Sequence, residues 1–281
     1  MNGFKTFILI ALMTGLLVFL GNYFYGVGGA VMALAAGILL NGVSYFFSDR
    51  IVLSTYRARV ATQADAPQLY AIVENLAQRA GLPMPRVAIV PEQTPNAFAT
   101  GRNPDHAVVA VTEGIMRALT RPEIEGVLAH EVAHVKNRDI LIGSFSAVLS
   151  QAIMFLARFA MPRGNNRGRG GGGANPIAAI AALVLAPVAA MMLQMAISRR
   201  REYMADEFAA QITGRPDQLA SALEKISGQN KQAPMRRAET STAHMMIVNP
   251  LAGVSFASLF STHPPIKKRI ERLNKMKIVM Y

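Results

Sequence analysis

The chain has 281 residues, of which 52% are hydrophobic and only 16% are charged, and its mean hydropathy is +0.27. This balance excludes an ordinary soluble globular protein and indicates a protein of the membrane. The chain contains no cysteine, which excludes disulfide bonds and thiolate metal sites. Any metal must therefore be bound by histidines and carboxylates.

The net charge of +12 does not indicate a partner nucleic acid, because the sequence has no basic stripe interleaved with aromatic residues and no nucleic-acid motif. The basic residues lie instead at the ends of apolar segments. They are Arg50, Arg57 and Arg59 after the first segment, and Arg199, Arg200 and Arg201 after the last. This placement is typical of cytoplasmic flanks held near anionic lipid, and it makes the lipid bilayer a predicted partner.

The first apolar segment, residues 6–48, has no charged residue and is about twice as long as one helix needs to cross a hydrocarbon core. It predicts a transmembrane hairpin over residues 1–48, with its turn at the glycine-rich residues 26–29. Lys5 followed by an apolar run also resembles a cleaved signal peptide. The run continues into a second full-length segment, which favours a retained anchor.

Residues 49–139 predict a soluble segment of mixed α and β structure. A helix begins at residues 65–67 and ends at Gly81. Its apolar face at helical spacing consists of Leu69, Ile72, Val73 and Leu76. Residues 86–90 and 107–111 are short β-branched runs, which predict a small sheet.

The next predicted helix begins with a capping box at residues 120–123 and carries the pattern HExxH. In a helix, His130 and His134 face the same side and reach one ion, while Glu131 points beside it. Glu131 suits the role of general base on a zinc-bound water, so the predicted reaction is peptide-bond hydrolysis. The alternative is a chance arrangement on an exposed helix face.

Catalytic zinc needs a third protein ligand. Asn137 and Ile140 stand where metzincins have glycine and histidine, which excludes that class. The remaining candidates are His106, His244, His263, Glu202 and Asp206. We favour Glu202 as the ligand, because Asp206 one turn later can accept the ring N–H of a ligand histidine. The alternative is a charge-paired helix end just outside the membrane.

Residues 140–157 and 170–198 are also free of charge and predict a second hairpin, which would return Glu202 to the membrane face of the HExxH helix. The linker, residues 162–175, is rich in Arg and Gly and would lie outside, against the positive-inside trend. The predicted domains are the hairpin 1–48, a first protease part 49–139, the hairpin 140–198 and a second protease part 199–281.

The second protease part, residues 199–281, is predicted to be helical. One amphipathic helix begins at residues 215–219 and ends near Gly228, and another follows Pro265. The apolar face of the latter consists of Ile266, Ile270 and Leu273. Residues 229–260 between these helices carry little pattern.

The motifs together resemble the HtpX-type membrane metalloproteases, a family related to the CAAX prenyl endoproteases and the mitochondrial Oma-type proteases. The resemblance covers nearly the whole chain. It is carried by the segments around His130–Asp139, Glu202–Asp206, Pro95–Gly101 and Ser261–Pro265, and by the order of the four apolar segments.

This resemblance implies a mainly α integral membrane protein with four apolar spanning helices and a cytoplasmic α+β, gluzincin-like zinc protease domain with a small sheet. One zinc ion per subunit would be held by His130, His134 and Glu202, with Glu131 catalytic. It also implies a multi-pass protein of a bacterial or archaeal cytoplasmic membrane, with its catalytic domain in the cytosol. Its substrates would be misfolded membrane proteins or unstructured proteins.

The resemblance further implies that Asn96, Ala97, Phe98 and Ala99 form an edge strand that pairs with an extended substrate. An ordinary loop of small residues is the alternative. His263 and Arg269 match positions that support the transition state in relatives. A histidine before two prolines is also a common helix-entry residue, so that role stays open for His263.

Three other functions remain open. A CAAX-type processing endoprotease belongs to the same enzyme class, but those relatives have more membrane segments than the four predicted. A non-enzymatic membrane scaffold would have a closed structural metal site with a fourth ligand such as His263. Membrane-tethered nucleic-acid binding rests on the net charge alone.

Overall fold

The computed structural model describes residues 2–160, 198–232, 235, 241–250 and 264–276. The predicted fourth apolar span (170–198, apart from its last residue), the linker 162–175 and His263 lie outside these described residues.

Helix α1 (Asn2–Thr55) is a hairpin of two helical arms that reverses at Gly26, with φ 64° and ψ −158°. Glycine accommodates this left-handed φ without strain. The arms pack closely at Gly21, where a Cβ atom would clash with the Gly29 carbonyl oxygen at 2.4 Å. A hydrogen bond also joins the arms, since Asn41 Nδ2 donates to Thr14 Oγ1 at 3.0 Å. The predicted turn is therefore confirmed, and the second arm continues beyond residue 48 to Thr55.

Both arms of α1 are long and apolar enough to cross a membrane, over Thr6–Tyr23 and Tyr25–Thr55. Their side chains mostly face outward: Phe19 is 64% exposed and Ile38 is 63% exposed. A helix in the core of a soluble protein would bury such side chains, so this exposure agrees with a lipid environment.

A four-stranded sheet contains β1 (Arg59–Val60), β2 (Arg86–Val90), β3 (Ala97–Thr100) and β4 (Val108–Thr112), in the order β1-β2-β4-β3. Strands β2 and β4 are parallel, and the outer pairs are antiparallel. The two predicted strands are confirmed within one residue. Strand β3 forms one edge of the sheet.

Helix α2 (Pro67–Ala80) lies between β1 and β2 in the chain, and α3 (Glu113–Ala118) and α4 (Arg121–Lys136) follow β4. The predicted apolar face of α2 is buried. At the start of α4 the capping box is present, because the Glu123 carboxylate accepts the Thr120 N–H at 2.8 Å. Helix α4 packs against α2, β3 and two later helices, which makes it the central helix.

The later helices are α5 (Asp139–Ala160), α6 (Arg199–Thr213), α7 (Pro216–Gln232) and α8 (Ile266–Lys275). Helix α7 continues one turn beyond Gly228, where the sequence predicted its end. A single glycine costs only about 1 kcal/mol inside a helix, and the added turn buries Asn230. Gly126 lets α4 approach α7, since a Cβ there would lie 3.1 Å from Leu219 N.

The main apolar core lies between the sheet and helices α2, α4, α6, α7 and α8. It includes Val127, Leu128 and Val132 of α4, all 0% exposed. Because both faces of α4 pack against other elements, the polar side chains on this helix are held in fixed positions within the core.

Candidate metal centre

The middle of α4 carries the HExxH pattern into the interior. His130 and Glu131 are each 1% exposed, and His134 is half-buried. One helical turn separates the two histidines, so their Nε2 atoms lie 3.2 Å apart. This pair of ring nitrogens forms one side of a cluster of potential metal ligands.

The third member of the cluster is Glu202, from the first turn of α6. Its Oε1 lies 3.5 Å from His134 Nε2, and its Oε2 lies 3.7 Å from His130 Nε2. The three candidate ligand atoms lie within 4.8 Å of one another. Helix α6 packs closely on α4, and this packing places Glu202 beside the histidines.

The donor set fits zinc in both chemistry and spacing. Two histidine nitrogens and one carboxylate oxygen are a ligand set of catalytic zinc sites. Ligands about 2.0–2.1 Å from one tetrahedral ion lie about 3.3 Å apart, and each histidine Nε2 lies within 3.7 Å of one of the two Glu202 oxygens. The cluster therefore requires little rearrangement to hold an ion.

Each histidine is oriented by a carboxylate at its other ring nitrogen. His130 Nδ1 lies 3.0 Å from Asp206 Oδ1, and His134 Nδ1 lies 3.0 Å from Asp139 Oδ2. An Nδ1–H that donates to a carboxylate leaves Nε2 with a free lone pair for a metal. Asp206 lies where the sequence predicted it, one turn after Glu202.

Asp139 is a site residue that the sequence pattern did not predict. Its position depends on Arg138, which has a left-handed φ of 56° and turns the chain from α4 into α5. The signal that could have identified it is a carboxylate placed directly after the helix end, within reach of the last ligand histidine. Arg201 Nη1 lies 3.5 Å from the second oxygen of Asp139.

The two histidines differ in their titration. Burial and the nearby charge of Arg269 lower the pKa of His130 to about 4, so it is neutral at pH 7. Burial also lowers the pKa of His134, but the hydrogen bond to Asp139 and the charge of Glu202 outweigh it and raise the pKa to about 9. Metal binding must therefore displace a proton from His134.

Glu131 faces the same cavity as the ligand cluster. Burial raises its pKa to about 7, against smaller lowering effects that include the charge of His134 and the backbone N–H of Ala99. A carboxyl group with a pKa near neutrality is suited to accept and return a proton.

Arg269 lies behind the metal ligands and is 0% exposed. Its Nε and one terminal nitrogen donate to the two Asp206 oxygens at 2.9 and 2.7 Å, and its other terminal nitrogen donates to the Ile247 carbonyl at 3.1 Å. Burial opposes the positive charge, but Asp206 and Glu202 raise the arginine pKa. Arg269 is not among the residues that line the cavity, although its Nη1 lies 3.6 Å from Glu202 Oε2. The transition-state role that the resemblance implied for Arg269 stays a prediction.

The cavity at the cluster has a volume of about 50 Å³. Ile140, Met245, Met246 and Ile247 give it an apolar side. This volume has room for a few water molecules but not for a peptide. Of the other candidate ligands, His244 lines this cavity with its Nε2 3.1 Å from the Gly143 carbonyl oxygen, and His106 lies elsewhere, next to Arg102.

An extended peptide that pairs with the sheet would use the outer edge of β3. The predicted substrate-binding residues Asn96 to Ala99 do lie at this edge, but all four are buried. The backbone N–H of Ile247 donates to the Ala97 carbonyl at 3.0 Å, and Asn96 Nδ2 donates to the Val248 carbonyl at 2.8 Å. Part of the edge is therefore already paired within the chain.

A helix that presents two histidines and a glutamate to one cavity, completed by a carboxylate from a second helix, is the centre of a metallopeptidase. In agreement, the model of Peptidase family M48 matches residues 63–277, and the chain belongs to this family. The family membership predicted from the motifs is confirmed.

The chain is similar to proteins described as "Protease HtpX homolog". The one from Pyrococcus furiosus is 53% identical over 280 residues, covering 98% of this chain and 96% of that protein. The one from Thermococcus kodakarensis is 54% identical over 276 residues, covering 97% and 95%. The crystal structure of S. mikatae Ste24p matches 96% of this chain and 67% of that chain with a TM-score of 0.47 and 18% identity, a likeness too weak to carry an argument.

Proposed function

We propose that this chain is a membrane-bound zinc metalloendopeptidase that hydrolyses peptide bonds in misfolded or unstructured proteins. The observation that carries the proposal is the cluster of His130, His134 and Glu202, whose three ligand atoms lie within 4.8 Å of one another beside the buried Glu131. Family membership supports the same class of activity.

In this proposal, His130, His134 and Glu202 hold the zinc ion. Zinc, when bound, supplies a Lewis acid that polarises a carbonyl oxygen and acidifies water. A carboxylate oxygen of Glu131 takes a proton from the attacking water and delivers it to the nitrogen of the leaving amine. One water and one peptide bond are thereby converted into a carboxylic acid and an amine.

The substrate backbone would pair with the outer edge of β3, where a chain is recognised by its main-chain groups more than by its side chains. Unfolded segments expose such main-chain groups, which supports damaged or unstructured proteins as the substrate class. The Ile247 N–H occupies the Ala97 carbonyl, so an entering peptide must displace the segment Met246–Val248 from this edge.

The membrane placement is supported by the two arms of α1 and by the apolar helix α5 that follows the metal helix. The arginines that flank α1 and α6 favour a cytosolic catalytic domain, by the positive-inside trend. The proposed setting is the cytoplasmic membrane of a bacterium or archaeon, where the protease would degrade damaged membrane proteins.

The experiment compares purified wild type with Glu131→Gln, each assayed for cleavage of unfolded casein with and without a chelator. A matched control is Glu125→Gln, which changes another glutamate of α4 outside the cavity. We expect Glu131→Gln to retain zinc and lose cleavage, with wild type and control active and sensitive to the chelator. Equal cleavage by all three proteins would contradict the proposal and favour a structural metal site.

A further inference from the structure

A second groove, of about 310 Å³, lies at the end of the second arm of α1, away from the metal cluster. Arg50, Arg86 and Arg102 line it together with His106, and Phe46 and Met84 form its apolar border. None of these residues has a role in the proposed hydrolysis. The groove therefore requires a separate explanation.

The position of the groove follows from the length of the arm. Residues 27–48 run from the turn of the hairpin to the last residue before Asp49 and Arg50, and contain no charged residue. They span about 33 Å at 1.5 Å per residue, close to the roughly 30 Å of a hydrocarbon core. If the turn lies at one surface of the membrane, the groove lies at the other surface, at the level of the lipid headgroups.

Apolar and basic side chains meet at this level. Phe46 is 56% exposed and Phe47 is 43% exposed, and both belong to the apolar arm. The guanidinium of Arg102 lies 5.5 Å from the centre of the Phe46 ring, and that of Arg50 lies 5.5 Å from the centre of the Phe47 ring. These cation–π contacts hold two positive groups directly above an exposed apolar surface.

The charges in the groove do not cancel. Arg86 forms an ion pair with the buried Asp49, and Asp105 is a second, exposed carboxylate at the border. Arg102 also contacts the ring of His106. Three arginines and two aspartates line the groove, which leaves a net charge of one positive unit. Arg50 is exposed to solvent.

We propose that this groove binds the phosphate headgroup of an anionic phospholipid, with Arg50 and Arg102 as its main contacts and the acyl chains against Phe46 and Phe47. The inference rests on the membrane placement of α1 in the proposed function. Such a lipid would fix the angle at which the sheet and α4 meet the membrane, because Arg86 and Arg102 belong to the sheet region and Arg50 belongs to α1.

The test uses the full chain purified in detergent and mixed with equal amounts of phosphatidylglycerol and phosphatidylcholine of the same acyl composition. The ratio of the two lipids retained by the protein is measured by native mass spectrometry. The groove variant carries Arg50→Gln and Arg102→Gln. The control carries Arg121→Gln and Arg215→Gln, which remove the same charge at exposed positions outside the groove.

We expect wild type and control to prefer phosphatidylglycerol and the groove variant to lose about fivefold in that preference for each arginine removed. Equal ratios in all three proteins, or an equal fall in groove variant and control, would overturn the proposal. Displacement of the lipid by millimolar glycerol phosphate would also overturn it, since the site would then bind soluble phosphates. Melting followed by circular dichroism verifies that the variants are folded.

The membrane placement is tested separately, by extracting membranes that contain the protein with alkaline carbonate. Release of the chain into the supernatant would contradict the placement and with it the lipid site. If the protein stays in the membrane but does not cleave casein, the proposed hydrolysis fails and the lipid proposal still stands. The binding of a lipid to the groove requires no catalysis.

Discussion

The backbone N–H of Ile247 donates a 3.0 Å hydrogen bond to the carbonyl oxygen of Ala97, at the outer edge of β3. The two residues are far apart in the sequence, and Ile247 lines the cavity that contains Glu131. The segment Met246–Val248 thus lies along the edge where a substrate strand would pair. Its attachment to β3 depends on one side chain in particular, that of Asn96.

Replacing Asn96 by alanine should loosen this segment. Asn96 Nδ2 donates to the Val248 carbonyl at 2.8 Å, and Asn96 Oδ1 accepts the Val248 N–H at 3.4 Å. Because a hydrogen bond of this kind contributes about 1 kcal/mol, we expect the amides of Ile247 and Val248 to exchange with solvent about fivefold faster in Asn96→Ala. Hydrogen–deuterium exchange with mass spectrometry measures this.

The control for this experiment is Asn75→Ala, at an exposed position of α2. Unchanged exchange in both variants would show that Asn96 does not hold the segment. Faster exchange across the whole chain would indicate general destabilisation instead, and would equally contradict the prediction.

Replacing one member of the buried ion pair of Arg269 and Asp206 should destabilise the folded protein strongly. Arg269 is 0% exposed and Asp206 is 2% exposed, so removing one partner would leave the buried charge of the other without its main counter-ion. We expect Arg269→Gln to lower the free energy of unfolding by about 3–5 kcal/mol. The double variant with Asp206→Asn should lose less than the sum of the two single changes.

The comparison is Arg272→Gln. Arg272 lies one turn away on α8 and pairs with Glu207 at 2.7 Å, with both side chains about half exposed. Exposed pairs contribute about 0–1 kcal/mol, so this variant should unfold nearly as wild type does. Equal losses for Arg269→Gln and Arg272→Gln, measured by denaturant unfolding in detergent, would contradict the predicted cost of breaking the buried pair.

Asp139→Asn should weaken zinc binding without removing a ligand. An asparagine can present its amide nitrogen or oxygen to His134, so the ring loses the carboxylate that fixes its orientation and raises its basicity. We expect about 10–100-fold lower zinc affinity, measured by competition with a chromophoric chelator. Asp217→Asn, at the start of α7, is the control, and equal affinity in the two variants would refute the role of Asp139.

Glu123 should make the stability depend on acidity. Burial opposes its ionisation, but Lys225, Ser221 and Thr120 outweigh this and lower the pKa of Glu123 from 4.5 to about 2. A depressed pKa means that the stabilisation is complete above pH 4.5 and is lost as the pH falls toward 2. At neutral pH we expect Glu123→Gln to cost about 1–2 kcal/mol.

The difference between wild type and Glu123→Gln should disappear near pH 2, because the protonated glutamate then resembles the glutamine. Thermal melting of both proteins across this pH range is the measurement. A difference that stays constant with pH would show that the charge of Glu123 contributes nothing to the attachment of α4 to α7.

Local sequence patterns were sufficient to predict the elements whose structure depends on residues close together in the chain. The capping box at Thr120, the HExxH helix, the reversal at Gly26 and strands β2 and β4 all follow from spacing or residue type within a few positions. The pairing of Glu202 with the histidines was also anticipated, because two apolar segments between them suggested a return to the same membrane face.

The remaining features depend on contacts that spacing does not encode. Asp139 reaches His134 only because Arg138 adopts a left-handed conformation that residue type does not predict. Arg269 lies behind the histidines because α8 packs against α6 and α7, which fixes the direction of its side chain. The pairing of Ile247 with β3 joins a stretch of weak sequence pattern to a distant strand, and only the folded chain reveals it.

His130, His134 and Glu202 are proposed to hold one catalytic zinc ion between them. The most direct measurement is the zinc content and zinc affinity of wild type, Glu202→Gln and Glu207→Gln, the last being an exposed carboxylate on the same helix. We expect one zinc per chain in wild type and Glu207→Gln, and at least about tenfold weaker binding in Glu202→Gln. Zinc binding by Glu202→Gln as tight as that of wild type, or none in wild type, would contradict the account.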